Sequence, residues 1–112
     1  MALIVNTPNP KGLLTSIRKA IDDKHIETWS YDADGDFTHK PDQWINQAWL
    51  RPVIAPGALI FGLLGKKDVQ MTKVVYGVYH GRFIEMLLTH FDNDFSAANV
   101  TAQKDANVDN FK

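Results

Sequence analysis

The alternation of apolar and polar positions divides the chain into a helix, a run of strands and a second helix. Ala2 to Val5 is apolar and fits either an edge strand or an extended arm. Beyond it Leu13, Leu14, Ile17, Ala20 and Ile21 recur at helical spacing. At about 100° per residue they share one face, with Thr15, Arg18, Lys19, Asp22 and Asp23 on the other. Asn9 suits an N-cap and Pro10 the first helical position, where its missing N–H is harmless. A surface helix from Pro10 to near Lys24 is expected.

A two-residue period then takes over. Ile26 to Tyr31 alternates, with Trp29 and Tyr31 on one face; Asp32-Ala33-Asp34-Gly35 supplies turn chemistry and Phe37 to His39 a return strand, ended by Pro41. Trp44 to Arg51 carries both periods, but Trp49-Leu50-Arg51 ahead of Pro52 favours extended chain. Pro52, Pro56 and Gly57 read as a connection into Ala58 to Leu64, which is apolar on both faces and so predicts a central strand. Gly65 to Thr72 is a polar loop.

The same alternation reads Lys73 to His80 as a partner strand, with Val74, Tyr76, Val78 and His80 on one face. On the other, Gly77 leaves a gap that a bulky neighbour or a ligand can fill. From Arg82 the helical period returns, in Phe83, Ile84, Leu87, Leu88 and Phe91. Burying these side chains, at about 1.5–3 kcal/mol each, outweighs the unfavourable positions of Arg82 and Asp92 on the helix dipole. Phe95 to Ala102 predicts a last strand, and residues 103–112 a polar, flexible tail. The expectation is one α+β domain over residues 1–102. Its antiparallel sheet has about four to six strands, with the N-terminal and the later helix packed on one face as a two-layer sandwich.

Charge and composition remove several classes of function. With 12 Lys plus Arg against 13 Asp plus Glu the net charge is −1, so no nucleic-acid partner is expected. The chain has no cysteine, which excludes disulfides, thiolate catalysis and Cys-ligated zinc. The apolar run Val53 to Gly65 is shorter than the ~20 residues of a membrane span and is broken by Pro56, Gly57 and Gly62, so no membrane partner is expected. The first residues lack a basic segment followed by a long apolar one, which makes the cytoplasm the expected compartment.

Candidate chemistry centres on His80. Placed at an expected strand end ahead of a helix N-terminus, the corner Tyr79 to Arg82 offers His80 as a general base, Arg82 as an anion clamp and Glu85 one helical turn along. His39 is a second histidine candidate. None of His25, His39, His80 and His90 form a metal-spaced pair, and no metal or cofactor is expected. Asp32-x-Asp34-Gly35-Asp36 has calcium-like acids, but an EF-hand needs its glycine two positions later and a Glu where Gln43 stands. A turn is the better reading.

Trp29, Tyr31, Trp49, Arg51 and Tyr79 are the binding candidates. Tyr79 belongs to the corner; the others are core if the helices cover their sheet face, and an aromatic interaction patch if the helices cover the opposite one. The helix, strands, helix order resembles double-stranded-RNA-binding domains in outline only: there are extra strands and no lysine cluster at the start of the second helix, so no function carries over. The expected function is a small non-enzymatic binding or interaction domain. Its expected partners are a second copy of itself, another protein or a small-molecule ligand. The alternative is a small enzyme with a His80-based site.

Overall fold

The structure is a computed structural model that describes residues 2–112. In chain order the elements are β1 (Ala2–Asn6), α1 (Pro10–Asp22), β2 (Trp29–Tyr31), β3 (Phe37–His39), β4 (Ala48–Ala55), β5 (Ala58–Gly65), α2 (Lys73–Phe91) and β6 (Ala97–Val100). The strands form one antiparallel sheet in the order β2-β3-β4-β5-β1-β6, and both helices pack against it. The N-terminal apolar stretch is therefore an interior strand between β5 and β6. Among the described residues no helix is long and apolar enough to cross a membrane.

Local chemistry sets the first half as expected. The Asn9 side chain accepts from the Gly12 amide, Pro10 opens α1, and Leu13, Leu14 and Ile17 are buried. Arg18 departs from its expected outward position. Its guanidinium lies 5.6 Å from the Tyr31 ring centre and 5.8 Å from that of Phe37, and donates to the Gly35 carbonyl at 3.1 Å. This docks the β2–β3 turn onto α1.

The β4–β5 pair is a hairpin turned at Pro56-Gly57, where Gly57 has φ +72°. Pro52 lies inside β4, opposite Phe61, instead of in a connection. It is tolerated because β3 pairs with β4 only at Phe37–Leu50, which leaves that side of β4 without a neighbour at Pro52.

Register builds the core. Leu3 faces Phe61, Val5 faces Leu59 and Leu50 faces Leu63, placing these side chains on the face that meets Ile17 of α1 and Tyr79, Phe83 and Leu87 of α2. The Phe83 ring centre lies 4.7 Å from that of Phe61 and 4.9 Å from that of Trp29. Burial of such side chains is the main favourable term in folding.

A further expectation is overturned in α2. Lys73 to His80 is the first half of α2, not a strand. The Thr72 hydroxyl accepts from the Val75 amide and starts the helix, and Tyr76, Tyr79, His80, Phe83, Leu87 and Phe91 are buried along one helical face. The tertiary contact of that face outweighs the local β-propensity of Val74, Val75 and Val78. No strand-to-helix corner exists at Tyr79 to Arg82.

Residues 103–112, read from the sequence as a polar tail, lie against the edge of β5. β1 begins opposite Gly62, so the edge of β5 beyond that point lacks a strand partner. The C-terminal segment fills it: Asn110 donates to the Leu63 carbonyl at 2.9 Å, Gly65 donates to that of Asn110 at 2.9 Å, and Leu63 donates to Asp109 Oδ1 at 2.7 Å. Pairing these backbone groups avoids leaving them buried and unsatisfied.

Candidate functional site

α2 separates a groove from a cleft. The groove, about 640 Å³, runs between α2 and the chain that leaves β6. Its wall on α2 is Tyr76, Gly77, His80, Gly81 and Ile84, which face it because they recur at helical spacing. Val100 to Lys104 and Phe111 stand opposite. A Cβ added at Gly77 or Gly81 would meet nothing within 4 Å, so the missing side chains face open space.

The groove's framework is held by polar contacts. Tyr76 donates from its hydroxyl to the Thr101 carbonyl at 3.2 Å, joining α2 to the end of β6. His80 is buried, stacks on the Tyr76 ring with centres 4.3 Å apart, and holds Nδ1 2.8 Å from the Tyr76 carbonyl, which makes Nδ1 the donor. Lys104 donates to the Phe111 carbonyl at 2.9 Å and lies 5.2 Å from that ring's centre. Among the described residues, the charged ones lining the groove are Lys73 and Lys104, with no Asp or Glu. Thr72 and Lys73 put the amide end of α2 at one end, which adds positive potential there.

The cleft, about 380 Å³, lies on the other side of α2, between the segment Lys24 to Trp29, His39 and Pro41, and the helical residues Arg82, Glu85, Met86, Thr89 and His90. His39 is 2% exposed, packs on Trp29 with ring centres 4.5 Å apart, and donates from Nδ1 to the Thr28 carbonyl at 2.8 Å. Burial pushes its pKa below the ordinary histidine value; the Thr28 carbonyl opposes this, nearby Arg82 adds to it and Glu85 opposes it. Nε2 has no hydrogen-bond partner among the described residues.

The predicted catalytic candidates are thus split. His39, Arg82 and Glu85 line the cleft, while His80 lines the groove on the other side of the helix. The binding candidates are split as well. Trp29 is 1% exposed and Tyr79 is fully buried, so neither belongs to a surface patch. Tyr79 donates to the Trp44 carbonyl and lies 3.0 Å from the Thr38 hydroxyl, tying the loop before β4 to the core. Tyr31 is half-buried and donates to Asp22 Oδ1 at 2.7 Å.

Trp49 and Arg51 lie on the sheet face away from the helices, alongside Ile4, Ile60 and Val53, which are cross-strand neighbours. Arg51 holds Asp36 through both oxygens, at 3.0 and 2.7 Å. The carboxylates of Asp32, Asp34 and Asp36 converge within 4.8 Å, but Asp36 is taken by Arg51, and Asp32 Oδ1 accepts the amides of Asp34 and Asp36.

Lys73, Lys104 and Phe111 were not singled out from the sequence, Ile84 was read only as part of an apolar helical stripe, and Gly81 only as part of a corner. The signal was Gly77-x-x-x-Gly81, which puts both glycines on one face only if the segment is helical. Comparison with protein-family models, curated proteins and solved structures returned no match.

Proposed function

We propose that this chain is a non-enzymatic binding domain whose groove takes a small molecule with an apolar body and an anionic head. One observation carries the reading: Gly77 and Gly81 sit inside a helix, where glycine costs about 1 kcal/mol relative to alanine, and no neighbour packs into the space they leave. A ligand that needs that space accounts for the cost. The volume falls within the ~300–1,000 Å³ of small-molecule sites. Lys73, Lys104 and the start of α2, with no acidic residue in the lining, favour an anionic head at that end.

The test is calorimetric titration with laurate. Wild type should bind one equivalent, Gly81→Leu should weaken binding by at least about tenfold by filling the groove, and Lys73→Gln should weaken it less. Equal laurate binding by wild type and Gly81→Leu, both with native near-UV circular dichroism, overturns the reading.

A second reading, self-association, rests on the outer sheet face. Val53 is 40% exposed there, opposite Ile60, with Trp49 farther along the same face beyond Arg51. Flat apolar sheet faces can pack against each other at ~10 Å. Sedimentation should show a dimer for wild type and a monomer for Val53→Lys; a wild-type monomer at millimolar concentration excludes it.

A further inference from the structure

One edge of the sheet is open among the described residues. β6 lies outermost and pairs with β1 alone. Thr101, the next residue after the strand, donates its amide to the Ala2 carbonyl, so by the two-residue period of an antiparallel ladder Asn99 also faces β1. The N–H and C=O groups of Ala98 and Val100 therefore point outward, and no other described residue forms a backbone bond with them. The opposite edge is guarded and this one is not. β2 has three residues, with Glu27 and Asp32 close to its ends, and such charges discourage pairing. From Phe95 to Gln103 there is no charged residue and no proline. A bulge at Ser96, which donates to the Asn6 carbonyl opposite Ala97, leaves Ala97–Val100 as the regular edge.

We propose that β6 pairs antiparallel with β6 of a second copy of this chain, joining the two sheets across a two-fold axis between their Asn99 residues. Register selects a second copy. With Asn99 opposite Asn99, Ala98 of each copy meets Val100 of the other, and every outward N–H and C=O finds a partner. A shift by one step of the ladder sets Val100 against Ser96, or Ala98 against Ala102, both outside the strand. The side chains agree with this register. Val100, 38% exposed and on the helix side of the sheet with its neighbour Leu3, is covered by Ala98 of the second copy. The Asn99 carboxamides are exposed on the other face and meet at the axis, where each can donate and accept. A contact of this size is weak and forms at high concentration. It rests neither on the groove nor on the outer face, since Val53 lies on β4, across β5 and β1.

Backbone amide hydrogen exchange of the whole chain, followed by NMR at micromolar and at millimolar concentration, tests the pairing. The Ala98 and Val100 amides should exchange at least about tenfold more slowly at the higher concentration, while that of Asn99, already bonded to β1, should be slow at both. Ala98→Pro removes an outward N–H and none of the bonds to β1, so it should keep the native near-UV circular dichroism and leave Val100 fast throughout. Asn99→Lys sets like charges at the axis and should do the same. Val53→Lys should leave the slowing intact, which separates this edge from the outer face. Ala98 and Val100 amides that stay fast at millimolar concentration overturn the proposal, whatever mass sedimentation gives. Slowing that persists in Asn99→Lys, or is lost in Val53→Lys, overturns it as well.

Discussion

A Cβ added at Gly62 in β5 would lie 2.0 Å from the Val108 carbonyl oxygen, whereas one added at Gly77 or Gly81 in α2 would meet nothing within 4 Å. Both regions interrupt an apolar run with glycine, and the physical reasons are opposite. At Gly62 the absent side chain lets another backbone approach, which is how residues 108–111 reach the edge of β5. At Gly77 and Gly81 nothing approaches, so the glycines cost helix stability without a packing return. A packed glycine should reveal itself in stability, and an open one in binding.

The largest effect is expected at Gly62. Gly62→Val forces the C-terminal segment off β5 and removes the bonds from Leu63, Gly65 and Asn110, for a loss of roughly 3 kcal/mol. Urea denaturation measures the loss, and hydrogen exchange should show the Leu63 and Gly65 amides deprotected while those of β1 stay slow. A neutral Gly62→Val would break the contrast, because Gly62 would then be no more constrained than Gly77.

The sequence displayed one side of this contrast and concealed the other. α1 was legible because Asn9, Pro10 and a single apolar stripe agree with one another. The β2–β3 hairpin was legible from Asp32 to Gly35. The first half of α2 was not, because Val74, Val75 and Val78 favour strand and alternate well; only the buried spacing Tyr76, Tyr79, Phe83 and Leu87 speaks for helix. That error moved His80 to a corner that does not exist and hid the shared face of Gly77 and Gly81. The meeting of His39 with Arg82 and Glu85 depends on β3 lying beside α2, which no local pattern encodes. The C-terminal segment looked like a tail because its anchors are backbone groups, the Asp109 carboxylate and the single ring of Phe111, which set no hydrophobic period to read.

Gly77→Ala and Gly81→Ala should act in the opposite sense to Gly62→Val. Each is expected to stabilise the fold by about 0.5–1 kcal/mol, since alanine fits an open helical position at lower entropic cost. Laurate affinity should fall at the same time, by less than with Gly81→Leu. Thermal unfolding and calorimetry on the same samples check both. A stabilised variant with unchanged affinity would detach the glycines from binding. A destabilised one would mean that something does pack there.

The smallest effect is a pH slope at His39, a packed group that should register in stability as Gly62 does. Burial holds its folded-state pKa below the ordinary value of about 6.5, with Arg82 acting in the same direction and the Thr28 carbonyl and Glu85 against it. The unfolded chain therefore takes up the proton more readily than the folded one. Stability from this residue is complete above pH ~6.5 and declines as the pH falls below it. His39→Phe removes the titration while keeping an aromatic ring on Trp29, so the difference in melting temperature between wild type and variant should shift against wild type on acidification. Carboxylates titrate alike in both proteins, so that difference isolates His39. A difference independent of pH between about 5 and 7.5 would mean that His39 accepts its proton without opening the fold, and would set it with the open positions of α2 instead of the packed ones.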